Sequence, residues 1–115
     1  MNASDYQHHA ARTLIDKPGF EISDKDIMTV WCAVGLGGEA GEVLEQIKKG
    51  IFHQHGLDDE KLKKEIGDCL WYLAGLCTTR GYDLGEIMQA NIDKLLVRYS
   101  NGFNSQDSQK RVDVK

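Results

Sequence analysis

The segment from Asp58 to Gly81 constrains the fold most tightly. Leu62, Ile66, Cys69, Leu70, Leu73, Leu76 and Cys77 recur along it at the period of an α-helix and fall on one face. Asp58 stands where an N-cap belongs, and Gly81 where a helix ends in the left-handed region. A long helix that is apolar on one side has to bury that side against another element. The rest of the chain offers only helices: strand-like alternation is absent, and the single proline, Pro18, lies in the punctuation "DKPGF".

Three further helices can be read. The first spans about Ser4 to Ile15, with Ser4 and Gln7 as a capping box. The second starts near Ser23 or Asp24 and continues to about Phe52, where "HQHG" stops it. Unbroken, it is roughly 40 Å long. Gly35, Gly37, Gly38 and Gly41 each cost about 1 kcal/mol in a helix interior, which leaves a kink or break around Gly35–Gly38 open. The last helix runs from Asp83 to about Tyr99, with Glu86 completing a second capping box. Short connections between long amphipathic helices favour antiparallel neighbours. The expected fold is an all-α antiparallel four-helix bundle, completed within one chain or between two. Residues 1–103 form one domain, and the polar stretch 104–115 is expected to fray.

Net charge is −4, which argues against a nucleic-acid partner, a role that usually shows a basic patch, and suits a protein that gathers cations. The three cysteines, Cys32, Cys69 and Cys77, form no CxxC and sit in apolar surroundings, as buried reduced thiols of a cytoplasmic protein do. The N-terminal sequence lacks the apolar stretch of a signal peptide, and no segment is expected to span a bilayer. Trp31, Trp71 and Phe52 are expected in the core or at a subunit contact, and His53 and His55 in an exposed loop.

The chemistry lies in two segments with one grammar. "GEAGEVLE" holds Glu39, Glu42 and Glu45, and "EIGDCL" holds Glu65 and Asp68. Residues three apart on a helix are neighbours, so Glu39 projects with Glu42, and Glu65 with Asp68. On a helical projection Glu65 lies at the edge of the apolar face and Asp68 just outside it, with Tyr72 between them in angle. Gly41 and Gly67, each between the acids of a pair, read as the residues that let the two segments approach closely. Carboxylates gathered in this way repel and raise one another's pKa values unless a cation neutralises them. Oxygen-only donors favour a hard ion, Mg²⁺ or alternatively Mn²⁺, and the absence of Glu-x-x-His counts against a di-iron site. The bland alternative is two solvated helix faces.

On the last helix Asn91, Lys94 and Arg98 share a face, an amide and two cations in line that suit phosphate oxygens. Lys48 and Lys49 lie near the end of the second helix, where they complement its dipole. Acids that hold metal and cations that face phosphate make a consistent division of labour.

The stretches "GLGGEAGEVLEQIKKG", "EIGDCLWYLAGL" and "NIDKLLVRYSNGF" together resemble the MazG-type nucleoside triphosphate pyrophosphohydrolases of the all-α NTP pyrophosphatase superfamily. The resemblance runs from about Val34 to Phe103. It rests on Glu-x-x-Glu followed by Glu-x-x-Asp, here Glu39, Glu42, Glu65 and Asp68. It implies Mg²⁺-dependent hydrolysis of a nucleoside triphosphate to the monophosphate and pyrophosphate, with those four acids as metal ligands. Glu39 or Glu42 is then the carboxylate that orients or deprotonates the attacking water. The same resemblance puts Tyr72, Asn91, Lys94 and Arg98 on the substrate side and favours a homo-oligomer, dimer or tetramer. One departure is Ser100, where proline is common in relatives. Two other readings remain open. One is a non-catalytic helical oligomerisation or interaction module. The other is a dUTP or phosphoribosyl-ATP pyrophosphohydrolase of the same superfamily.

Overall fold

The computed structural model describes residues 1–14, 17 and 19–99. Ile15, Ser100, Phe103 and the stretch 104–115 lie outside the described residues. The regular structure among them is entirely helical, with four α-helices: α1 (Ala3–Ala11), α2 (Asp24–Ile47), α3 (Asp59–Arg80) and α4 (Leu84–Arg98). A single π-helical turn, Lys48–Phe52, extends α2 without a break.

Side chains fix the starts. Ser23 Oγ accepts from the Asp26 amide at 3.1 Å, Asp58 Oδ1 from Lys61 at 3.1 Å and Asp83 Oδ1 from Glu86 at 3.0 Å. Each cap satisfies an amide that has no partner in the first turn. The cap of α1 is Asn2, whose Oδ1 accepts from Asp5 at 2.8 Å, so the helix begins earlier than a Ser4 cap predicts. Gly81 ends α3 at φ 74°, with its own amide and that of Tyr82 donating back into the last turn.

No break occurs at Gly35–Gly38; α2 is continuous through that stretch. With the π turn it makes a continuous helix from Asp24 to Phe52, 29 residues whose most apolar window has a mean hydropathy of 1.2. By length and composition alone that is enough to cross a membrane, contrary to the expectation from the sequence. Continuity through the glycines is what makes the difference.

α2 and α3 pack antiparallel along their lengths, and theirs is the extensive helix–helix interface among the described residues. Contacts march along it in steady register. Asp26 pairs with Arg80 at 3.0 Å, Cys32 Sγ packs at Gly75, Tyr72 covers Gly35, Glu39 meets Glu65, and Leu57 closes over Gly50. Among the described residues, only Cys32 and Cys77 are buried apolar side chains. Both are free thiols, as is the half-buried Cys69.

α1 and α4 do not fold back to complete a bundle around this pair. Trp31, Trp71 and Phe52 are 64%, 66% and 81% exposed, so the expectation of a core position fails for all three within one chain. The radius of gyration, 20.4 Å, far exceeds the roughly 13 Å of a compact chain of this length.

Candidate metal centre

The acids meet at the middle of the α2–α3 interface. On α2, Glu39 lies one helical turn beyond Gly35. On α3, Asp68 lies one turn before Tyr72, and Glu65 three residues earlier. The antiparallel register that sets Tyr72 on Gly35 therefore sets Asp68 and Glu65 beside Glu39. One carboxylate oxygen from each of Glu39, Glu65 and Asp68 lies within 4.8 Å of the other two. Glu39 and Glu65 are half-buried and Asp68 is exposed, the order that the helical projection gives for the α3 pair.

Glu39 and Glu65 share a side-chain hydrogen bond. Two carboxyl groups can do so only if one carries a proton. That bond is the main reason why the Glu39 pKa stands above its ordinary value. Partial burial and the charges of Asp68, Glu65 and Glu42 push it the same way. A cation among these carboxylates would relieve that repulsion. Three oxygen donors spanning up to 4.8 Å approach the roughly 4.2 Å across an octahedral ion with bonds near 2.1 Å. Carboxylate oxygens alone make a donor set that fits a hard divalent cation.

Glu42 stands apart. It is exposed and outside the three-oxygen cluster, although its charge reaches Glu39. Glu45 is also exposed and is bonded to Lys48 at 3.4 Å. Tyr72 is half-buried. Its ring lies against Gly35 and edge-on to Trp71, with 5.1 Å between ring centroids.

The polar face of α4 is not gathered to the acids within one chain. Asn91 lines an apolar groove of about 500 Å³ between α3 and α4, with Leu70, Leu73 and Met88 among its neighbours. Lys94 makes no ion pair among the described residues, and the Arg98 guanidinium sits over the Tyr99 ring at 5.7 Å. His53 and His55 are exposed, as expected.

The roles read for Gly41 and Gly67 do not hold. A Cβ at either position would meet nothing within 4 Å, so neither brings the acidic segments together within the chain. Gly35 does: a Cβ there would lie 2.7 Å from Tyr72 Cδ1 and closer still to Cε1 and Cζ. Gly75, with Cys32 Sγ at 3.0 Å from a Cβ, and Gly50, with Leu57 Cδ2 at 2.7 Å and the Leu57 Cα at 3.1 Å, are close contacts further along the hairpin. The sequence pointed to the glycines between the acids, whereas the contacts fall on those one turn or more away.

The family described as the MazG nucleotide pyrophosphohydrolase domain matches residues 32–103. The "Gene 37 protein" of Mycobacterium phage L5 is 34% identical over 108 residues, which cover 89% of this chain and 92% of that protein. No solved structure matches.

Proposed function

Since this chain belongs to the MazG nucleotide pyrophosphohydrolase family, we propose that it hydrolyses a nucleoside triphosphate, ribo- or deoxyribo-, to the monophosphate and pyrophosphate. The observation that carries this reading is the convergence of Glu39, Glu65 and Asp68 from two helices, with one carboxylate oxygen of each within 4.8 Å of the other two. Isolated surface acids have no reason to accept that repulsion, whereas a site that takes up a divalent cation does.

Glu39, Glu65 and Asp68 would hold the ion, with Glu42 close by on α2. A divalent ion at such a site offsets phosphate charge and makes a bound water more acidic. Glu42 is the carboxylate free to orient that water and accept its proton, because it is not tied into the hydrogen-bonded cluster. Attack at the α-phosphorus forms one P–O bond and breaks the bond to the bridging oxygen, and pyrophosphate leaves. Cations along the triphosphate, Lys94 and Arg98, offset the charge that develops there, and Asn91 donates to phosphate oxygen.

Those three α4 residues are not at the acids within one chain, so the proposal includes a homo-oligomer, dimer or tetramer. Exposed Trp31, Val34, Leu70 and Trp71 supply apolar surface for it. Free thiols are consistent with a cytoplasmic setting. Neither a membrane nor a nucleic acid has a role in this reading.

The test is a panel of nucleoside triphosphates incubated with and without Mg²⁺ and scored for monophosphate and pyrophosphate. Mg²⁺-dependent release of both in equal amounts is expected. Release of inorganic phosphate instead, or no turnover across the panel, refutes the reading. Light scattering tests assembly: a mass of 12.9 kDa, that of one chain, refutes the oligomer.

A further inference from the structure

We propose that Tyr72 is a positioning residue. Seated in a notch that only glycine at position 35 permits, its ring sets the spacing of α2 and α3 at the acid cluster and so the affinity of that cluster for its ion. The proposal rests on the metal-centre reading above. It assigns to Tyr72 a role different from the substrate contact that family resemblance implies.

The geometry is local and specific. The Tyr72 Cε1, Cζ and Cδ1 atoms fill the space where a Cβ of residue 35 would stand. The ring edge that includes the hydroxyl-bearing carbon therefore lies on the α2 backbone. The Trp71 ring, perpendicular at 5.1 Å, backs it from the α3 side. The next layer along the helix pair holds the acids: Glu39 is one turn on from Gly35, and Asp68 is one turn back from Tyr72. Separation between the backbones of two continuous, packed helices does not change at one layer without changing at the next. Whatever lies between Gly35 and Tyr72 therefore sets how far Glu39 stands from Asp68 and Glu65.

Glycine at position 35 is less favourable than alanine in a helix interior. Four glycines of α2, at 35, 37, 38 and 41, carry that cost, but only Gly35 has a side chain packed against it. The contrast separates a steric requirement from a merely tolerated residue.

The experiment measures Mn²⁺ and Mg²⁺ affinity of the full chain by titration calorimetry. Helix content is followed by circular dichroism, and KM on the best triphosphate of the panel is measured in parallel. Gly35→Ala should weaken ion binding tenfold or more with helix content preserved, and Gly37→Ala, facing open space, should not. Tyr72→Leu, smaller and more flexible, combined with Gly35→Ala should recover at least part of that loss. Tyr72→Phe keeps the ring and should bind ions and substrate as the parent does.

If Gly35→Ala binds ions with parental affinity, or if the double variant recovers nothing, the positioning role is wrong. If Tyr72→Phe raises KM tenfold at unchanged ion affinity, the hydroxyl contacts substrate and the proposal is overturned in favour of that role. Should Gly35→Ala fail to fold, Tyr72→Leu alone decides: parental ion affinity overturns the proposal, and a loss supports it. A parent chain that binds neither ion overturns the metal-centre reading itself. That outcome is distinguishable from the others because it appears before any substitution.

Discussion

Replacing Glu39 by glutamine should make the metal-free protein more stable and deprive it of its response to magnesium. In the folded chain the Glu39 pKa is raised above 4.5 by its hydrogen bond to Glu65, by partial burial and by the surrounding carboxylates. Between 4.5 and that higher folded value the native state binds more protons than the unfolded one. Stability of the metal-free protein therefore falls as pH rises through the window, and the deficit persists above it. Glutamine has no proton to lose, and its amide still donates to Glu65. Metal-free Glu39→Gln should thus melt above the parent at pH 8, with the advantage vanishing below pH 4.5. Ion binding reverses the order. Magnesium at one hundred times its dissociation constant stabilises a one-site protein by about 2.7 kcal/mol. For a chain of this length that is a rise in Tm of roughly 10 °C. Loss of one of three ligands that weakens binding a hundredfold leaves about 0.4 kcal/mol at the same concentration, a rise of roughly 2 °C. Differential scanning fluorimetry at pH 4 and pH 8, with and without Mg²⁺ and at fixed protein concentration, measures all of this. A metal-free variant less stable than the parent at pH 8, or one that responds fully to Mg²⁺, would refute the reasoning.

Asp68→Asn should reduce triphosphate turnover at least a hundredfold while leaving the circular dichroism spectrum unchanged; parental turnover would remove Asp68 from the site. Lys94→Ala should weaken substrate binding more than ion binding, a difference that calorimetry on each ligand resolves. Gly50→Ala places a methyl group against Leu57 and should cost about 1–3 kcal/mol in urea unfolding, partly offset by better helix propensity. Gly81→Ala meets no side chain, yet it forces a residue with a Cβ to φ 74° and should cost about 1–2 kcal/mol by the same measurement.

Element boundaries were legible wherever a cap residue adjoined an apolar period. Asp58, Asp83 and Ser23 each mark a helix start to within a residue, and Gly81 marks a stop, because these residues act through neighbouring amides. The start of α1 was misplaced because Asn2 caps as well as Ser4, and nothing local ranks them. The continuity of α2 was not legible. Whether four glycines break a helix depends on what packs against it, and that is α3. At the site, pairing of Glu65 with Asp68 follows from spacing alone. The exclusion of Glu42 from the cluster does not, because it depends on how far each helix is rotated about its axis at the interface. The same holds for the glycines: spacing placed Gly41 and Gly67 between acids, but only the register of α2 on α3 selects Gly35. Separation of α4 from the acids reflects the direction in which the chain leaves Gly81, a three-dimensional property with no sequence period.

Because the acidic layer is built by two helices that follow each other directly, its assembly needs little chain closure. Only the short connection between Phe52 and Asp59 has to be ordered, and loop-closure entropy grows with length. The hairpin is pinned beyond the acids on both sides, by Asp26–Arg80 at one end and Leu57 on Gly50 at the other. Amides of α2 and α3 near Glu39 and Asp68 should accordingly exchange with deuterium more slowly than those of α1 or α4, and in one cooperative unit. A nascent chain would meet the mutual repulsion of its carboxylates as soon as α3 emerges, before α4 exists. Divalent cations in the surrounding medium would then act on folding itself, speeding closure of the hairpin.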